Sequence, residues 1–581
     1  MAVSKLLVKG RKLAIWPALI LLASICQGTF APPATAQNFE RYRPQIPEEG
    51  QPPTPDFPEP AAPGGDETEL IPELKGLVFV ASPDNVETGG VDQPGIHVDP
   101  ALSELQSRAF EARMQKYLGA PVSIRRLNEL SRDVVLFYRS LGLLAVDVSV
   151  PEQRITTGTV QVVVTEGRVG QVRVEDACYF DTCVLVNQLC ISSGDAVYES
   201  VLLDELEWLS RNPFRDIELE LAAGQDPGET DVIFHVDDRW PWRFYMGYDD
   251  TGTRFTGLER GFVGFSWANA LNRDHMMGYQ FTGSSDMKKL NAHAGVYEIP
   301  LANRDILQFY GSYAEVSSDF VQPFTQDGVA WQAALRYRRE LCDWGCLQHH
   351  VVGGFDFKQT NTNLEFGGDQ VFASSADILQ FLAGYRGNWT DGWYSLYLAA
   401  DVVYGPSGLS GNNTDPAYQT IRAGAKADYI YGRAIVEGVA PVNSWLDFVA
   451  RITGQLAGEN LLPSEQLGFG GFDSIRGYDM RLVNGDSGYF LNLEARTIPL
   501  CIGPYGGETQ FLAFFDYGNA DNHTLLPGED VSVDLSSVGL GLRYALYDTA
   551  SLRFDYGVQL NEVTGFADPR QRIHLGVVLA Y

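Results

Sequence analysis

From Trp242 to the end of the chain, apolar and polar residues alternate with a period of two. In the last segment Ile573, Leu575, Val577, Leu579 and Tyr581 share one side, while Arg572, His574, Gly576 and Ala580 share the other. Leu552, Phe554, Tyr556, Val558 and Leu560 alternate in the same way with Ser551, Arg553, Asp555, Gly557 and Gln559. Successive side chains on a strand point to opposite faces, so this period predicts β-strands. Sixteen are expected, near 242–249, 258–267, 274–283, 289–299, 304–315, 329–340, 348–358, 376–388, 393–404, 419–439, 445–456, 487–497, 509–518, 536–546, 551–560 and 571–581.

A soluble sandwich would show the same alternation, with one face on a core and the other in water. The connections separate the two readings. Tight turns at Ala302-Asn303, Thr390-Asp391-Gly392 and Asp548-Thr549 are interspersed with long polar loops at about 359–375, 404–418 and 457–486. Short turns on one side and long loops on the other, with an even strand number, are the pattern of a bacterial outer-membrane barrel. Aromatic residues near strand ends (Trp242, Tyr245, Trp389, Trp393, Tyr394 and Tyr581) are expected to form its interfacial girdles.

Upstream, the period changes. Gly76–Val80 reads as a strand, 103–118 and 123–141 as helices, and 144–150 and 159–165 as strands. Leu127, Leu130, Val134, Phe137 and Leu141 fall on one helical stripe, which Gly142 ends. The order strand, helix, helix, strand, strand then recurs over 169–175, 184–191, 199–209, 217–221 and 231–236. Two small α+β modules in series are therefore expected ahead of the barrel.

The N terminus places Lys5, Lys9, Arg11 and Lys12 before an apolar run from Leu13 to Ile25 and a small-residue stretch ending Ala34-Thr35-Ala36. That is the form of a secretory signal, with the mature chain expected to begin at Gln37. Prolines at 44, 47, 52, 53, 55, 58, 60, 63 and 72 then predict an extended, disordered tether. The expected domains are a signal peptide at 1–36, a Pro-rich linker at 37–74, α+β modules at 75–166 and 167–239, and a barrel at 240–581.

The formal charge of −31 disfavours nucleic acid as a partner, more so once the basic leader is removed. Cys342-Asp343-Trp344-Gly345-Cys346 straddles a hairpin tip in an oxidising compartment, and a local Cys342–Cys346 disulfide is expected. The competing reading is a zinc site with His349 and His350, which adjacent histidines on opposite strand faces weaken. The partners of Cys178, Cys183, Cys190 and Cys501 stay open. With no HExxH, no Ser-His-Asp arrangement and no GxxxxGK[ST] loop, neither an enzyme nor a cofactor is expected.

Strand parity directs Leu512, Phe514 and Asp516 inward, with Phe490, Asn492, Glu494 and Arg496 beside them. A carboxylate there calls for a cationic partner. The long loop before these strands contains Phe469-Gly470-Gly471-Phe472-Asp473-Ser474-Ile475-Arg476-Gly477-Tyr478. This stretch resembles the arginine-glycine-tyrosine motif in the lumen-folded loop of two-partner secretion transporters, the haemolysin and filamentous-haemagglutinin secretors. Pro151-Glu152-Gln153, Gly158 and Glu166-Gly167-Arg168-Val169 resemble the junction of that family's polypeptide-transport-associated (POTRA) domains. Asn212-Pro213, Gly224, Gly228, Thr230 and Asp231 resemble the close of the second. Asp249-Asp250-Thr251-Gly252 resembles the first barrel hairpin, with Asp250 where asparagine is usual.

The resemblance implies a transmembrane antiparallel β-barrel of about sixteen strands behind two POTRA-like domains. It implies that Arg476 meets Asp516 in Phe514-Phe515-Asp516, that Gly477 permits close backbone approach, and that Tyr478 packs on Phe514. The loop should join strands eleven and twelve, with the aspartate on strand thirteen. The implied function is recognition of a large unfolded exoprotein in the periplasm and its passage through the barrel to the cell surface. The alternative is a barrel assembly or insertion factor of the same superfamily. The other implied partners are outer-membrane lipid and, during biogenesis, the barrel-assembly machinery. Family members usually begin with a pore-plugging helix, for which Gln37–Arg43 alone precede the prolines.

Overall fold

A computed structural model describes residues 43–581, apart from 48, several positions between 51 and 61, and segments 254–255, 320–323, 367–368, 503–505, 524–531 and 564–569. The expected signal peptide lies outside the described residues. The chain divides into two compact units. One comprises Pro241–Leu271 and His275–Tyr581 with the described residues before Glu49, and the other comprises Glu49–Trp240 and Asn272–Asp274.

The smaller unit contains two sheets. In the first, β1 (Gly76–Val80), β2 (Gly95–Val98), β3 (Val146–Ser149) and β4 (Thr159–Glu166) lie in the order β2-β1-β4-β3. The helix Ile124–Ser140 is capped by the Ser123 hydroxyl, which accepts from Arg126 N–H, and its buried stripe is Leu130, Val134, Phe137 and Tyr138. That stripe closes a core with Leu77, Phe79, Phe110, Val160, Val162 and Val164. The second sheet has the order β5-β7-β6, from β5 (Arg168–Glu175), β6 (Arg215–Ala223) and β7 (Glu229–Asp238), with helices Thr182–Val186 and Glu199–Ser210.

Three expectations change here. The helix expected over 103–118 is broken into a 3-10 turn at Ser103–Gln106, a helix at Arg108–Met114 and a second turn at Gln115–Tyr117. Ser107 divides it, because its backbone is extended and its hydroxyl caps Phe110 N–H. The strand β2 was not expected, because its four residues carry only Ile96 and Val98 toward the core, and its pairing beside β1 forms it. The Pro-rich stretch is ordered toward its end: Leu70 N–H donates to Val122 O (2.8 Å), Asn128 Nδ2 to Gly64 O (2.7 Å) and Arg132 Nε to Pro60 O (3.2 Å).

The larger unit is a closed antiparallel barrel of sixteen strands. In chain order they are β8 (Trp242–Asp249), β9 (Arg260–Ala270), β10 (His275–Ser284), β11 (Leu290–Pro300), β12 (Ile306–Asp319), β13 (Phe324–Glu340), β14 (Leu347–Phe366), β15 (Asp369–Asp391) and β16 (Tyr394–Gly405). They continue with β17 (Tyr429–Asn443), β18 (Leu446–Ala457), β21 (Ser487–Thr497), β22 (Glu508–Asp521), β23 (Ser532–Leu546), β24 (Ala550–Gln559) and β25 (Gln571–Ala580). The barrel closes by pairing β25 with β8, from Gly576↔Asp249 to Ala580↔Tyr245. Closure removes the edges, so every spanning strand has a partner on both sides in a medium without water.

The outer face is apolar: Phe244, Met246, Leu540, Ile573 and Leu579 are exposed, while His574 and Asp555 on the opposite faces are fully buried. Trp242 stacks on Trp267 at 4.7 Å, and Phe265 lies 5.9 Å from Tyr279. Tyr245, expected in a girdle, points inward instead. It alternates with Phe244 and Met246, is 4% exposed, and donates to Gln280 Oε1 at 3.1 Å. The tether also enters this unit, since Gln45 N–H donates to the Tyr245 hydroxyl (2.9 Å), Ser266 Oγ donates to Gln45 O (3.2 Å), and Ile46 packs on Val296 and Tyr310.

Two loop expectations are corrected. Residues 359–375, expected as a long loop, are largely strand, because β14 and β15 run 20 and 23 residues. A bilayer needs only about 9–11 residues per tilted strand, so this hairpin stands well beyond it. Residues 419–428, expected within a strand, follow or belong to the helix Asp415–Ile421, which the Thr414 hydroxyl caps at Ala417 N–H. Cys342 and Cys346 are free and exposed rather than bridged. Their carbonyls are engaged separately, by His349 Nε2 (3.1 Å) and by Thr390 N–H (3.1 Å), which ties the two ends of the tip to different neighbours. His349 also meets the Tyr385 hydroxyl (3.1 Å), whereas His350 faces Glu340 (3.6 Å).

The luminal loop as candidate functional site

The segment 458–486 leaves β18, the eleventh barrel strand, and returns at β21, the twelfth. Its sequence sets apolar side chains among polar ones. Leu467, Phe469, Ile475 and Tyr478 are buried together against Phe490, Ala520 and Leu535 of the inner wall. A short hairpin, β19 (Leu467–Phe469) with β20 (Val483–Gly485), stiffens its base. The loop therefore folds back into the barrel, and this burial carries Arg476 to the wall.

Arg476 Nε donates to Asp516 Oδ2 at 2.8 Å and Nη2 to Oδ1 at 2.7 Å, a bidentate pair, and the Arg476 backbone N–H adds a third bond to Oδ2 at 3.0 Å. Nη1 lies 2.7 Å from Glu494 and 3.6 Å from Asp555. The side chains of Arg476 and Asp516 are 3% and 0% exposed. Three carboxylates around one guanidinium leave net negative charge, which Arg496 on Glu494 (2.5 Å) and Arg543 on Asp555 (2.9 Å) offset. Asn492 Nδ2 donates to both Asp516 Oδ1 (2.8 Å) and Ser474 O (2.5 Å), joining wall and loop beside the pair.

Phe514 lies under the guanidinium, whose carbon is 3.6 Å from the ring centre. The resemblance had paired Tyr478 with that ring. Tyr478 instead donates to Ser536 O (3.0 Å) and Asn561 O (2.7 Å), because the loop turns at Gly477 and sends the phenol past β23. Gly477 has φ of +90° and rests on Gly557, whose carbonyl carbon an added Cβ would meet at 3.1 Å. Its N–H donates to His574 Nε2 (3.2 Å), and its carbonyl accepts from Gln559 Nε2 (2.8 Å). His574 Nδ1 meets Asp250 Oδ2 at 2.9 Å, so the ring carries its proton on Nδ1 and offers Nε2 as acceptor.

All five residues singled out in the sequence thus meet in one luminal cluster, with Asp516 on the thirteenth strand. The additional members are Glu494, Asp555, Gln559, Asn561, Asp250 and His574. Parity had placed Asp555, Gln559 and His574 on polar faces. Only closure of β25 on β8 brings His574 and Asp250 to the loop.

A closed sixteen-stranded barrel with an apolar outer face is the architecture of an outer-membrane protein. The chain belongs to the haemolysin secretion/activation protein family ShlB/FhaC/HecB, whose family model matches residues 228–544, and the ShlB-type POTRA model matches residues 95–167. It is therefore a two-partner secretion transporter of the outer membrane with POTRA domains in the periplasm, acting with a secreted partner protein.

The heme/hemopexin transporter protein HuxB of Haemophilus influenzae is 23% identical over 473 residues, 77% of this chain and 79% of that protein. The outer membrane transporter CdiB of Dickeya dadantii is 22% identical, over 70% of this chain and 72% of its own. Among solved structures, CdiB from Escherichia coli superposes with a TM-score of 0.68 at 17% identity, covering 98% of both chains. The family match places the chain with secretion transporters rather than barrel assembly factors.

Proposed function

We propose that the transporter receives its exoprotein unfolded in the periplasm, pairs it with exposed strands of the POTRA domains through main-chain hydrogen bonds, and threads it extended through the lumen. The observation that carries this reading is the Arg476–Asp516 latch, with both side chains buried and the loop lying across the path a chain would take. Passage requires the loop to leave its seat and return to it in register, and the latch supplies that seated state. The expected signal peptide delivers the chain to the periplasm, where the barrel-assembly machinery takes it into the outer membrane. The exposed aliphatic and aromatic side chains contact outer-membrane lipid. Folding of the exoprotein outside supplies the driving force, without nucleotide, cofactor or catalytic residue.

The test is secretion of a partner's N-terminal fragment by cells carrying wild type, Arg476→Ala or Asp516→Ala at matched barrel levels. Secretion that depends on the protein and falls at least about tenfold in both variants supports the reading; removal of one member of a buried pair costs roughly 3–5 kcal/mol. Undiminished secretion by both folded variants would remove the latch from the mechanism.

A further inference from the structure

The luminal loop carries charge of both signs. Arg476 meets the acidic wall of β21, β22 and β24. Elsewhere on the loop, Glu465 Oε1 and Oε2 lie 3.0 and 3.2 Å from Lys358 Nζ, and the Tyr431 hydroxyl donates to Oε2 at 3.0 Å. The side chains of Lys358 and Glu465 are 0% and 1% exposed. The Glu465 carbonyl also accepts from Gln455 Nε2 (3.1 Å) and Arg433 Nη2 (3.4 Å). These groups stand on β14, β17 and β18, and β14 lies six strands around the barrel from β22, the strand of Asp516. At the loop's end Asp486 accepts both terminal nitrogens of Arg422, at 2.6 and 3.0 Å.

We infer that Lys358 and Glu465 form a second anchor of the luminal loop, opposite in polarity to the Arg476 latch and seated on a different arc of the wall, and that both must release before a chain can pass. The inference rests on the reading that the loop leaves its seat during transport. Loss of the Arg476 contacts alone frees one side of the loop, while Glu465 still holds it to β14 and β17. Withdrawing Glu465 from Lys358 breaks a buried charge pair, which is unfavourable, so the anchor opposes partial opening. Lys358 and Glu465 are thus positioning residues for transport. The reversed polarity matters as well, because the Arg476 site cannot accept Glu465 and the loop has one register in the lumen.

The experiment is single-channel recording of the full-length protein in phosphatidylethanolamine/phosphatidylglycerol bilayers, with barrel folding verified by heat-modifiable gel migration. Wild type is compared with Glu465→Gln, Lys358→Met and the exchange K358E/E465K. Each single variant is expected to raise the ratio of open to closed time on the order of tenfold or more, and the exchange to return most of it. Glu465→Gln keeps the side-chain shape and decides the matter if Lys358→Met does not fold. Folded Glu465→Gln channels with wild-type opening, or an exchange no closer to wild type than the singles, overturn the anchor. Secretion by the same strains separates the two readings. A wild type that gates in the bilayer but delivers no partner fragment defeats the transport reading and leaves the anchor to be judged by the recordings.

Discussion

At the residue scale, the latch places the loop by geometry as much as by charge. A guanidinium offers a planar fork and a π-stacking face, both used here, on Asp516 and on Phe514. Lysine cannot reproduce either. Gly477 contributes differently, with a φ of +90° and Gly557 against its Cα. Gly477→Ala is expected to lose roughly 1–2 kcal/mol from the backbone conformation and more from the contact with Gly557. The check is the unfolding midpoint by heat-modifiable migration, together with secretion at matched barrel levels. An alanine variant with wild-type values in both would show that the loop has room to move. The arginine, glycine and tyrosine were legible because they are contiguous in the chain. The partner of Tyr478 was not, since it depends on how the loop turns inside the lumen.

At the element scale, the second POTRA-like sheet contains a pH-responsive tie. His235 on β7 has Nδ1 2.7 Å from Asp176, just beyond β5, and Nε2 2.9 Å from Glu220 on β6. The hydrogen bond to Asp176 first, and that to Glu220 next, raise the imidazole above its ordinary value of 6.5. Because the folded-state value is raised, the stabilisation is full below about pH 6.5 and is lost as pH rises through the folded value. Thermal unfolding of the protein across this range is expected to show the second domain less stable at alkaline pH, with the slope reduced in His235→Ala. An unchanged slope in that variant would assign the pH dependence to other groups. Strand parity in β22 was legible, since Phe511, Ala513, Phe515 and Tyr517 alternate with the inward set. The long projecting hairpin of β14 and β15 was not, because polar residues outside a bilayer read as loop whether or not they pair.

At the scale of the whole molecule, the barrel stands on its outer surface. Leu540 lies mid-strand on β23 and is 64% exposed. In a water-soluble fold an arginine there would cost little. In a bilayer, Leu540→Arg is expected to cost about 2–4 kcal/mol, read as a lower midpoint for barrel unfolding in lipid vesicles. A detergent-independent value equal to wild type would contradict burial of that face in lipid. Lumen-facing positions tolerate polarity by contrast, as Gln559 does where it donates to Gly477 O.

The sequence by itself determined the sixteen-strand barrel, the two α+β modules ahead of it and the candidate latch. Periodicity, turn chemistry and a contiguous motif are local properties, written every few residues. Tertiary structure alone decided which polar face residues meet the loop. Asp250 and His574 lie 324 residues apart and join only when β25 closes on β8, and Lys358 and Glu465, 107 residues apart, join only when the loop folds inward. Tyr245 was misjudged for a related reason: an aromatic residue near a strand end suits lipid or lumen equally well, and only the register of the closed barrel selects between them.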